Sequence, residues 1–225
     1  MARVDSLGHF LTDVADAIRE KQGTSETIQA SDFDTEIENI SVSSGGKVAP
    51  KTVSFKNDTS ETIDVSMLDT SKLSTMSNMF YHCEQVIELD TSGFNTSNVT
   101  NMERMFEGCY KVSSFNVSSF NTSNVLYMRY MFANCSIAEL DLSNFITNSV
   151  TNMEAMFYNC TQLNKLDIRN FTFDSVTTHN SIFLNVPRNC EIIVKSDTEK
   201  TWVLGRRSDL TNVKTVAEYE AEQSE

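Results

Sequence analysis

The apolar positions of this chain change period twice in every repeat of about 26 residues. In "VTNMERMFEGC" Val99, Met102, Met105, Phe106 and Cys109 fall at steps of three and four, the stripe of one buried helical face. Ahead of each stripe the step drops to two, at Ile63/Val65, Leu89/Thr91, Phe115/Val117, Leu140/Leu142 and Leu166/Ile168. Such alternation predicts a short strand with one inward side. Continuing the period reaches Ile192/Val194 in "CEIIVKS" and predicts a sixth strand. Segments such as "SGFNTSN" join strand to helix and supply turn and N-cap chemistry.

The pattern is an internal repeat. Met79-Phe80, Met105-Phe106, Met131-Phe132 and Met156-Phe157, with Ile182-Phe183 as a drifted fifth copy, recur at intervals of 26, 26, 25 and 26 residues. Three residues past each Phe stand Cys83, Cys109, Cys135 and Cys160, with Val186 in the fifth copy. Three residues before each pair stand Met76, Met102, Met128 and Met153, then His179. Six before it stand Leu73, Val99, Val125, Val150 and Val176. One such unit cannot bury its apolar face alone, whereas stacked neighbours can. The predicted fold is therefore α/β, a solenoid over 63–196 with a parallel sheet of about six strands on one face and helices on the other. Its ends need covers. Residues 51–62, opening "KTVSFKND", are read as the leading cap, and 197–225, with the only tryptophan, Trp202, as a trailing cap and acidic tail.

Residues 1–42 carry a different pattern. Leu7, Phe10, Leu11, Val14, Ala15 and Ile18 share one helical face, and Phe33, Ile37 and Ile40 a second, shorter one. A module this small folds best against a partner, either copies of itself or another protein. The segment 43–50, within "SVSSGGKVAP", is read as a flexible tether.

Composition narrows the function. With 40% apolar residues and two prolines among 225, the chain is expected to fold. A net charge of -13 argues against nucleic acid or an anionic membrane as the primary partner. There is no run of 18 apolar residues, so no membrane insertion is expected. The N-terminus lacks the pattern of a secretory signal and the C-terminus that of an anchor, which predicts a soluble product without its own route across a membrane. Five cysteines, an odd number with no close pair, argue against a disulfide framework or a zinc knuckle. The cysteine column is read as buried packing.

Candidate chemistry is sparse. Asp64, Asp90, Asn116, Asp141 and Asp167 form a column whose oxygens suit calcium, but each lies between two inward residues and is expected to face solvent as a ladder. His179 is read as a buried substitute in the methionine column. No Ser-His-Asp set, carboxylate pair or phosphate loop stands out. The expectation is no catalytic residue, no cofactor and no metal. Tyr81, Tyr110, Tyr127, Tyr130 and Tyr158 lie off the apolar columns; they suit recognition of protein or glycan and equally suit ordinary surface.

The unit "LDLSNFITNSVTNMEAMFYNC" resembles the 26-residue leucine-rich repeat of BspA-like bacterial surface proteins. That resemblance implies a leucine-rich-repeat body that presents a binding surface. The segment "FLTDVADAIREKQGTSETIQASDFDTEIENI" is similar to modules of tail and other structural proteins of phages and prophages of Gram-positive bacteria. Together they imply a non-enzymatic virion protein, assembled in the bacterial cytoplasm and released by lysis. Residues 1–42 would dock it to other virion proteins, in several copies or as a homo-oligomer, and the body would contact a host-surface protein or glycan, or decorate the particle. The alternatives are a BspA-like cell-surface adhesin and an intracellular protein-binding scaffold.

Overall fold

The computed structural model describes residues 41–42, 48–49, 53–66 and 68–224. Strands β1 (Ser41–Val42) and β2 (Val48–Ala49) pair antiparallel, Ser41 opposite Ala49 and Val42 opposite Val48. The chain thus pairs with itself across the segment expected to be a tether, of which 43–47 and 50 lie outside the described residues. The second sheet is parallel throughout, in the order β3 (Glu139–Asp141), β4 (Lys165–Ile168), β5 (Glu191–Val194) and β6 (Val213–Thr215). Helix α1 (Asp197–Arg206) leads from β5 towards β6, and helix α2 (Val216–Gln223) follows β6 directly. Leu140, Leu166, Ile192 and Val213 lie side by side in register, so equivalent positions of successive units are neighbours. The fold is α/β and repeat-like.

Three of the six expected strands form. At the leading positions the units meet through isolated parallel bridges instead, such as Thr62 with Glu88. A difference in cover accompanies this. In β4 and β5 the outward-facing Asp167 and Ile193 are buried as well as the inward residues, and α2 packs along β5 and β6. At the leading units the outward Asp64, Asp90 and Asn116 are exposed.

The expected helices on the opposite face are absent from the described residues, where the two helices lie in the trailing segment. The stripe of step three and four is instead a run of tight turns. Met79 donates to Met76 at 3.2 Å and Cys83 to Phe80 at 3.2 Å, so the bonds close over three residues. Two residues per unit are left-handed: Asn78/His82, Arg104/Gly108, Tyr130/Asn134, Ala155/Asn159 and Ser181/Asn185, with φ between 53° and 76°. A left-handed residue every fourth position reverses the helical path. Alternate N–H groups then leave their own unit. Met76, Asn78, Phe80 and His82 donate to the carbonyls of Asn101, Glu103, Met105 and Glu107, at 2.7–2.9 Å. The burial predicted for the stripe stands, because a three-residue turn returns the chain to the same side as a helix turn does. At Gly108, φ is +76° and an added Cβ would come within 3.2 Å of the His82 ring.

The core is a set of ladders along the repeat axis. Phe55, Phe80, Phe106, Phe132, Phe157 and Phe183 stack in order with ring centroids 5.4–6.2 Å apart. A second file, Phe94, Phe120, Phe145 and Phe171, repeats at 6.3–6.4 Å. The Met column and the four repeated cysteines are at most 1% exposed. Phe55 covers the leading end, and at the trailing end Trp202 stacks on Phe173 at 3.8 Å. Beside these files runs a column the hydrophobic pattern does not show: Thr70, Thr96, Thr122 and Thr147, all buried. Each hydroxyl donates to the carbonyl of a residue in the next unit and accepts from that residue's N–H; for Thr122 the partner is Ile146, at 2.9 and 2.8 Å. Thr70, Thr96 and Thr147 treat Asn95, Asn121 and Thr172 in the same way.

Candidate recognition face

The turn face lines up one side chain per unit. Of its two left-handed columns, one carries His82, Gly108, Asn134, Asn159 and Asn185, mostly residue types that accept this conformation readily. The other carries Asn78, Arg104, Tyr130, Ala155 and Ser181. A residue bearing Cβ pays about 1–2 kcal/mol to be left-handed, so Arg104 (φ 55°) and Tyr130 (φ 56°) hold their places against backbone preference. Strain of this kind gathers where a side chain has a use.

Those side chains meet. The Arg104 guanidinium lies 4.5 Å from the Tyr130 ring centroid and 5.9 Å from that of Tyr81. Arg129 also lies 5.0 Å from the Tyr130 ring centroid, and Lys56 lies 5.2 Å from that of Tyr81. Tyr158 is 6.5 Å from Tyr130, while His82 links Tyr81 (4.3 Å) to Tyr110 (6.4 Å). The result is a continuous strip of rings interleaved with cations across four units.

Carboxylates balance the cations. Arg104 Nη1 lies 2.7 Å from Glu107, which is 6% exposed. Burial raises the Glu107 carboxyl above the ordinary range, and the Arg104 charge and hydrogen bond pull it back. His82 Nδ1 lies 2.9 Å from Glu84. Arg129 Nε lies 3.0 Å from Glu154 Oε2 but is buried without an aligned hydrogen bond, so this pair acts through charge. The face is close to neutral on a strongly acidic chain, with aromatic area and planar guanidiniums as its main assets.

Four of the five expected tyrosines belong to this strip. Tyr127 does not; its backbone bridges Asn101 and Asn152, and its ring meets none of the strip's rings or cations. Tyr110 and Tyr127 are each 41% exposed, and Tyr81, Tyr130 and Tyr158 are half-buried by their neighbours. Sequence reading missed Lys56, His82, Arg104 and Arg129. The signal for three of them was their place in, or next to, the left-handed columns, which shows only once the turns replace the expected helix. The docking residues Leu7, Phe10, Leu11, Val14, Ile18, Phe33, Ile37 and Ile40 lie outside the described residues.

The other candidate columns have structural work. Asp64, Asp90, Asn116 and Asp141 face solvent as expected, and each side chain accepts the N–H two residues ahead, at 2.8–3.4 Å. Asp167 repeats this turn bond at 3.1 Å but is buried, held by Arg169. These oxygens close turns. Among the described residues no group of three or more His, Cys, Asp or Glu could hold a metal ion, and no helix is long and apolar enough to cross a membrane. His179 corrects the expectation of a buried substitute: it is half-exposed at the trailing end, edge-on to Trp202 at 5.4 Å.

The cysteine column is packing with a weak donor. The thiols of Cys83, Cys109, Cys135 and Cys160 donate to the carbonyls of Phe55, Phe80, Phe106 and Phe132 in the preceding unit, at 3.0–3.3 Å. Burial pushes Cys83, Cys160 and Cys190 up to about 12, and Cys109 and Cys135 well above the ordinary thiol range. Thiolate is the reactive form. At neutral pH a thiol reagent should therefore label all five slowly in the folded chain and quickly in denaturant. Rapid native labelling, followed by mass spectrometry, would contradict the buried ladder.

A repeat body that carries a strip of aromatic rings and guanidiniums along its turn face defines a repeat protein. The comparisons with known proteins agree on the repeat. The family described as "Mycoplasma protein of unknown function, DUF285" matches residues 25–114 and again 76–195, together well over half of the sequence. The chain belongs to this repeat family. No curated protein and no solved structure matches it significantly.

Proposed function

We propose that this chain is a non-enzymatic attachment protein of a phage virion, whose repeat body is a leucine-rich-repeat solenoid of the BspA-like kind. Residues 1–42 dock it to other virion proteins, and the turn face meets a protein or glycan on the host surface. The observation that carries the recognition role is the pair Arg104 and Tyr130, kept in left-handed backbone and interleaved with Tyr81, Arg129 and Tyr158. The virion setting is supported by the resemblance of the first forty residues to phage and prophage modules. Membership of a repeat family matched outside phages favours a second reading, a bacterial surface adhesin that uses the same face.

Tyr130→Asn in the full chain separates the face from the fold. Asn accepts φ 56° better than Tyr, so thermal stability should hold or rise. Loss of the central ring should weaken adsorption of labelled protein to host cells about tenfold, as for a contact residue worth more than 1 kcal/mol. Undiminished adsorption would remove the turn face from the proposal. Co-sedimentation with particles tests the setting: the full chain should pellet with them and a chain lacking residues 1–42 should not. Co-sedimentation of the truncated chain overturns the docking role, and fractionation of the full chain with cell wall in place of particles favours the adhesin.

A further inference from the structure

The N–H ladder of the turn face has a free end. In each unit alternate N–H groups donate to the next; the last to do so are Met153, Ala155, Phe157 and Asn159, which donate to Thr178, Asn180, Ile182 and Leu184 at 2.8–3.1 Å. The equivalent N–H groups one unit later belong to His179, Ser181, Phe183 and Asn185. No further unit follows, and none of the four has a hydrogen-bond partner among the described residues. β6 continues the sheet face, but on the turn face the end of α1 brings in Arg206 and Arg207 rather than a backbone with carbonyls.

A half-open cavity of about 320 Å³ lies there, lined by His179, Ser181, Phe183, Leu184, Arg206 and Arg207 among others, with no carboxylate in its wall. Ser181 and Asn185 are left-handed (φ 59° and 65°), and Ile182 and Leu184 donate within the unit to His179 and Ser181, so every second N–H, those of Ser181 and Phe183 included, is turned out of the unit. Phe183 is 2% exposed, so an unpaired N–H there is costly. Arg207 is held in place by Asp209 and by donating to the Phe183 carbonyl at 2.6 Å. Arg206 makes no ion pair among the described residues. It stacks 3.9 Å over the Trp202 ring, and its Nη2 lies 3.3 Å from Nε2 of His179.

We infer that this cavity binds a tetrahedral oxyanion, a phosphate, on the N–H groups of Ser181 and Phe183 and the guanidinium of Arg206. Donors come from two separate segments, 179–185 and 206–207, which suits a ligand with acceptor oxygens on several sides. At the other pole Phe55 and Asn57 donate onward to Met79 and Tyr81, so among the described residues this site occurs once. It does not depend on the recognition face. The phosphate is either free or part of a phosphodiester polymer, and both present the same oxygens.

Trp202, the only tryptophan, is a built-in reporter. Titrating the full chain with inorganic phosphate at constant ionic strength should change its emission saturably, and chloride should not. In amide-resolved NMR, Ser181 and Phe183 N–H should move downfield together. Arg206→Gln, checked for an unchanged melt, should weaken binding about tenfold, the value of one charge-assisted contact. Repeating the titration with bis-glycerol phosphate distinguishes the sources: binding shows that a diester is accepted, and its failure beside binding of inorganic phosphate assigns the site to the free ion. A linear response, the same response to chloride, amide shifts elsewhere, or unchanged affinity in Arg206→Gln would overturn the site.

Discussion

Phe132→Ala should cost the protein about 3–5 kcal/mol, measured by urea denaturation, the range for emptying a large aromatic from a tight core. Phe132 is fully buried in the central unit, 5.5 Å from Phe106, 6.2 Å from Phe157 and 5.7 Å from Phe115. Its neighbours belong to rigidly bonded units and cannot close over the gap, because the N–H ladder at 2.8–3.0 Å sets the unit spacing on both sides. Stability in a stacked repeat is a sum of units and interfaces. A central cavity weakens two interfaces at once and should also broaden the transition. Tyr130, two residues earlier, is the control. Equal losses from Phe132→Ala and Tyr130→Asn would mean that inward and outward sides are misassigned.

The second large effect should come from a polar side chain. Thr122→Val keeps shape and removes one oxygen, yet should cost about 2–4 kcal/mol, because a part-buried donor and a part-buried acceptor each lose their partner at roughly 1–2 kcal/mol apiece. The groups stranded are the N–H and carbonyl of Ile146, both now satisfied by the Thr122 hydroxyl. Thr122→Ser retains that hydroxyl and gives up a methyl, so about 1 kcal/mol is expected. If the valine variant is no less stable than the serine variant, the hydroxyl is not what joins the two units.

Legibility in the sequence followed the physical signal. Burial was readable, since Met105, Phe106 and Cys109 have no other reason to recur every 26 residues. Outward orientation of Asp64, Asp90 and Asp141 was readable too, because side chains alternate in any extended segment. Secondary structure of the stripe was not. A tight turn and a helix both return apolar residues at steps of three, and the residues that tell them apart, Arg104, Tyr130 and Ala155, are poor left-handed formers that no local preference would place there. The recognition face was half readable for the same reason. Tyr81, Tyr110, Tyr130 and Tyr158 announced themselves as aromatics off the core columns, whereas Arg104 and Arg129 gained meaning only when left-handed turns set them between the rings.

By itself, then, the amino-acid order determined the repeat, its length, its buried columns and the need for a cover at each end, because apolar residues must leave water whatever path the backbone takes. Only the tertiary structure decided that the buried stripe is made of turns, that Thr122 and its equivalents join units through one hydroxyl, and that the ladder of N–H donors ends at Ser181 and Phe183 beside Arg206. These are settled by hydrogen bonds spanning about 25 residues, and a bond of that reach depends on a partner that local sequence does not contain.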